Sequence, residues 1–122
     1  MNFFTKLFSK KEENTQNPAL ELKKLAFSKL EELKNKEFSE QTFNEFVFIF
    51  QVFMEKYLGV GKHLTHEERV KQINAKNIMP QAKTKLIALS SEISQLEFSG
   101  KKKDKQILGA LIIKFEEILN SI

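Results

Sequence analysis

The stretch Thr42 to Leu58, TFNEFVFIFQVFMEKYL, constrains the fold more than any other part of the chain. It holds five of the twelve phenylalanines. Phe43, Phe46, Val47, Phe50, Phe53, Met54 and Tyr57 recur at helical spacing, and Phe48, Ile49 and Val52 make the opposite side apolar too. A helix that is apolar nearly all round must be surrounded. It is therefore expected at the centre of a small bundle. FVFIF alone would also suit a buried strand, but it lies midway in a capped helical pattern, which favours helix.

The 122-residue chain fits one domain with a real core: 41% of residues are apolar and 30% charged, with mixed sign. Four glycines and two prolines are few for a turn-rich β fold. The absence of cysteine excludes disulfides, thiolate metal sites and a cysteine nucleophile. The longest apolar run, Phe46 to Met54, is interrupted by Gln51 and is far short of the roughly 20 residues that span a bilayer. The N-terminus has its charge after its apolar residues, unlike a secretory signal, and a cytoplasmic location is expected.

Punctuation along the chain divides it into helices. Residues 1–16 are read as an amphipathic segment with a polar linker, and 17–122 as a bundle domain. Asn17-Pro18 starts a helix to about Lys36, with a stripe of Leu22, Leu25, Ala26, Leu30 and Leu33 and a second seam at Leu20 and Phe27. Ser39 caps the central helix, Glu40 suits its first turn, and Gly59 ends it. Thr65 and Glu68 fit a capping box for a short helix ending near Asn77, with Val70 and Ile73 inward. Pro80 opens a helix with Leu86, Leu89, Ile93 and Leu96 on one face, broken at Ser99-Gly100. Asp104 caps the last, with Ile107, Leu108, Leu111, Ile112, Phe115, Ile118 and Leu119 inward. The fold expected is all-α, a five- or six-helix bundle with a short amphipathic N-terminal helix, its neighbours mostly antiparallel because connections are short.

No catalytic constellation stands out, and neither an enzyme activity, a metal nor a cofactor is expected. His63 and His66 are the only histidines. Their order, H-x-x-H-E, is not the H-E-x-x-H of a zinc helix, and Thr65 would start a helix between them. Gly59-Val60-Gly61-Lys62 lacks the spacing and flanking strand of a phosphate loop and is better explained as a helix end. The carboxylate pairs Glu12-Glu13, Glu31-Glu32, Glu67-Glu68 and Glu116-Glu117 fall on polar faces or first turns. No Ser/His/Asp pattern accompanies them.

Two features invite a partner. Phe3, Phe4, Leu7 and Phe8 form one face of the N-terminal segment, with Lys6, Lys10 and Lys11 on or beyond the other. Such a segment packs on its own bundle, docks on a protein, or lies on an anionic membrane surface. Lys101, Lys102, Lys103 and Lys105 form the densest charge run, just before a helix N-terminus where positive charge is unfavourable; they are a candidate patch for an anion or acidic partner. The net charge is +4, but Arg69 is the only arginine among 20 basic residues, so nucleic-acid binding is expected to be at most weak and salt-sensitive. The stripe on residues 20–33 also suits pairing with a second copy, which makes a homodimer compatible.

From about Phe46 to Leu119 the order of features resembles the helical cytosolic C-terminal domain of BatD-like (oxygen-tolerance) membrane proteins. The carriers are an aromatic helix ending Tyr57-Leu58-Gly59, then Leu64-Thr65 with Glu67-Glu68, a Leu-rich helix closing on Glu97-Phe98-Ser99-Gly100, and a last amphipathic helix. The resemblance implies an interaction module beside a membrane, of a kind that partners von Willebrand A-domain proteins and MoxR-type ATPases. The function expected is that of a non-enzymatic adaptor or scaffold, peripheral to the cytoplasmic membrane face, with weak lysine-driven nucleic-acid binding as the alternative.

Overall fold

The computed structural model describes residues 18–61, 64–100 and 102–122. They form an all-α bundle: α1 (Pro18–Lys34), α2 (Glu40–Phe53) continuing into a π-helical turn (Met54–Leu58), α3 (His66–Asn74), α4 (Pro80–Phe98) and α5 (Lys105–Ser121). No strand occurs among the described residues. FVFIF is helical.

The capping chemistry stops and starts the helices where the sequence predicts. Ser39 Oγ accepts from the Thr42 N–H, and Thr42 Oγ1 accepts from the Ser39 N–H, so the two residues cap reciprocally. Thr65 and Glu68 make the expected box at α3. Asp104 Oδ1 accepts from Ile107 N–H at 2.8 Å at the start of α5. Gly59, at φ +71°, ends the π-helical turn in a left-handed conformation that a Cβ would disfavour. Two ends fall earlier than expected: α1 closes at Lys34 rather than Lys36, and α3 at Asn74 rather than Asn77. Asn17 and the segment 1–16 lie outside the described residues.

α2 is enclosed as its composition demands. Phe43, Phe46, Val47, Ile49, Phe50, Val52 and Phe53 are all buried. α1 packs on α2 and α5 and buries Leu22, Ala26, Leu30 and Leu33, while α5 closes another side of α2. Phe115 of α5 meets Phe46, Phe50 and Phe53 edge-on, with ring centroids 6.2, 5.3 and 5.6 Å apart. Such edge contacts set the positive rim of one ring against the negative face of another. α4 packs on α5 and on α3. There Arg69 donates to the fully buried Ser90 hydroxyl at 2.9 Å, so the chain's one arginine ties two helices together.

Chain direction follows from the ion pairs. Lys23 donates to the backbone oxygen of Ile122 and Lys34 meets Glu116, which runs α1 antiparallel to α5. Glu92 and Lys114 meet across the α4–α5 hairpin at 2.7 Å. The start of α1, the chain's C-terminus and the α3–α4 connection therefore share one end of the bundle. The α1–α2 and α4–α5 connections share the other.

Candidate functional site

An open groove lies at the end of the bundle where α1 begins. Tyr57, Asn77, Ile78, Met79, Ser121 and Ile122 line a groove of about 500 Å³, a volume typical of binding sites. Three separate stretches build it. Met79 precedes Pro80, which disfavours helical geometry at that residue, and it is extended at φ −60°, ψ 140°. Its side chain is 60% exposed at the groove edge. Ile122 is held against α1 through Lys23. Tyr57 comes from the π-helical turn. The 3.6-residue pattern predicts Tyr57 on the inner stripe with Phe50 and Phe53. The π-helical turn spends one extra residue and moves it out of phase, to a half-buried position stacked on Phe53 at 4.9 Å. Leu58 and Val60 are buried instead and seal the bundle end. The groove is mostly apolar, and methionine adapts to varied partners there.

At the opposite end the lysine run divides. Lys103 is not a free member of an anion patch. It turns back to Glu40 at 3.1 Å and sits 4.9 Å over the Phe43 ring, its side chain only 16% exposed. It thereby fastens the α4–α5 connection to the start of α2, which accounts for a lysine beside a helix N-terminus. Lys102 and Lys105 remain exposed, and Lys101 lies outside the described residues. Lys105 borders a small depression of about 100 Å³ with Leu33, Phe38 and Leu108 at its floor. Phe98, the last residue of α4, is 86% exposed. Sequence reasoning missed Phe98 as a surface feature, although its place two residues after Leu96 puts it across the helix from the buried stripe.

The N-terminal candidates Phe3, Phe4, Lys6, Leu7, Phe8, Lys10 and Lys11 lie outside the described residues, as does His63. His66 is exposed in the first turn of α3, and no group of three metal-binding side chains occurs among the described residues. Gly61 is engaged: its N–H donates to Gln72 Oε1 at 3.2 Å. The described carboxylates with shared roles are structural. Glu31 and Glu116 both accept from Lys34, and those hydrogen bonds, Glu116 first, raise the lysine above its ordinary pKa. Glu68 is held below the ordinary carboxylate value, chiefly because the Thr65 backbone N–H donates to it.

No protein-family model, curated protein or solved structure matches this chain. No helix among the described residues is long and apolar enough to cross a membrane.

Proposed function

We propose that this chain is a non-enzymatic interaction module, an adaptor that binds another protein at the cytoplasmic face of a membrane. Residues 1–11 are its docking segment and the Tyr57–Met79 groove its protein-binding surface. The observation that carries this reading is the groove itself: an open apolar trough, with Met79 60% exposed on its edge, at the end of the bundle where the N-terminal segment joins α1. A partner contributes an apolar side chain or short helix turn to the trough, while the segment's Phe face and lysines supply a second attachment. Two weak contacts linked in one chain bind far more tightly than either alone. The resemblance to BatD-like cytosolic domains points the same way. Binding of nucleic acid has less support, since Lys103 is engaged by Glu40 and Arg69 by Ser90.

Liposome flotation tests the membrane part. The full chain and a chain beginning at Asn17 are mixed with neutral or anionic vesicles. The full chain alone should float, with anionic vesicles alone, because each lysine near such a surface contributes about 1 kcal/mol. If neither floats, the membrane part is wrong and the segment serves a protein contact or the bundle.

A further inference from the structure

The chain has three methionines and no cysteine, so its sulfur chemistry is that of thioethers alone. Met1 lies outside the described residues, and the other two have opposite settings. Met54, the first residue of the π-helical turn, is 2% exposed within the core, whereas Met79 is 60% exposed on the edge of the Tyr57 groove. Met79 is also held in place. Its carbonyl accepts from the Lys83 N–H at 3.1 Å, and the Lys83 ammonium donates to the Asn74 carbonyl at 2.9 Å, which ties together both ends of the α3–α4 connection. Ile78 beside it packs against the core, while Met79 itself is not part of the core cluster. A thioether is thus presented to solvent at a set place, and the core does not depend on it.

We propose that Met79 is an oxidation-controlled modification site, and that its sulfoxide closes the groove to apolar partners. The oxidant is hydrogen peroxide. A lone pair of Met79 Sδ attacks one peroxide oxygen, so an S–O bond forms and the O–O bond breaks. The leaving hydroxide takes the proton of the transferred oxygen and departs as water. Sulfur is oxidised by two electrons and the peroxide is reduced by two. Reaction follows access to the sulfur, so Met79 reacts while Met54 is spared and the bundle stays folded. The product is a polar side chain where an apolar one stood. In the open groove, water solvates the sulfoxide oxygen. An apolar side chain laid across Ile78, Met79 and Ile122 strips that water away and offers no donor in its place, which disfavours binding. The nearby Ser121 hydroxyl cannot compensate freely, since it already donates to the Ile118 carbonyl at 2.8 Å. Methionine sulfoxide reductases return the thioether, so the closure is reversible. The inference rests on the adaptor proposal in one respect, that the groove is an apolar binding surface, and adds a means of controlling it.

The test treats the folded full chain with hydrogen peroxide and follows each methionine by mass spectrometry of tryptic peptides. Met79 falls in the peptide 77–83 and Met54 in 37–56, so the two are read separately. Met79 should oxidise at least about tenfold faster than Met54, in line with its access to solvent. Equal rates, or a faster Met54, overturn the proposal. The groove is then probed with the apolar dye anilinonaphthalene sulfonate, its binding read from the amide NMR shifts of Asn77 and Ser121. Oxidation should weaken that binding by about fivefold or more, as expected for a polar group set against apolar walls. Treatment with methionine sulfoxide reductase should restore it. In Met79→Leu the dye affinity, whatever its value, should be the same before and after peroxide. Dye binding that is unchanged by oxidation of Met79 overturns the proposal and leaves the adaptor reading standing. So does an equal peroxide effect in Met79→Leu, because another residue is then responsible. If the dye shifts neither amide before oxidation, the groove is not an apolar binding surface, and the groove part of the adaptor proposal fails together with its control.

Discussion

Phe115 touches three rings of α2 and has no exposed surface, so its removal leaves a hole among aromatic neighbours that cannot all move to fill it. Phe115→Ala should cost about 3–5 kcal/mol in urea unfolding. Phe98→Ser, at a ring 86% exposed, should stay within about 0.5 kcal/mol of the parent. Equal effects at the two sites would contradict the packing described. A second contrast separates two lysines adjacent in sequence. Lys103→Ala loses the Glu40 pair and the cation over Phe43 and should cost about 0.5–1 kcal/mol, whereas exposed Lys102→Ala should be neutral within about 0.5 kcal/mol. Glu68 yields a pH dependence. Its folded pKa lies below the ordinary carboxylate value, so its stabilisation is complete above that value and is lost as pH falls through the folded pKa. The parent should melt above Glu68→Gln at neutral pH, and the gap should close on acidification. A gap independent of pH would exclude the charged cap as its cause.

Element ends depend on backbone geometry as much as on contacts, and two glycines show opposite signs. Gly59→Ala places a Cβ in the left-handed conformation that closes the π-helical turn and should cost about 1–2 kcal/mol. Gly109 lies in mid-α5, where an added Cβ meets nothing within 4 Å. Gly109→Ala should therefore stabilise by about 0.5–1 kcal/mol through helix propensity, read as a higher denaturation midpoint. Caps and stripes of this kind were legible in the sequence because their causes are local. Ser39, Thr65, Gly59, Pro80 and Asp104 each act within one turn, and Leu86, Leu89, Ile93 and Leu96 follow one period. The π-helical turn was not legible, because Tyr57 continues the helical spacing from Phe53 while burial of Leu58 and Val60 in the assembled bundle favours the wider turn. The role of Lys103 was hidden for a related reason: its partner Glu40 is 63 positions away. The groove draws on three distant stretches and has no sequence signature at all.

In the whole molecule α5 is the shared helix, packed on α1, α2 and α4, while α3 reaches the rest chiefly through α4. The described core runs from Leu22 to Leu119 and does not divide into separate clusters. A chain beginning at Asn17 should therefore still unfold in a single cooperative transition. Loss of cooperativity on truncation would mean that residues 1–16 are part of the core rather than an addition to it. The position of Tyr57 has an optical consequence. It is the one tyrosine of a chain without tryptophan, and it forms a wall of the groove. Under ultraviolet excitation selective for tyrosine, the protein emits from a single ring at a single place. A partner lacking tyrosine and tryptophan that fills the groove will change that emission directly, so the unmodified protein already carries a dye at its proposed binding surface.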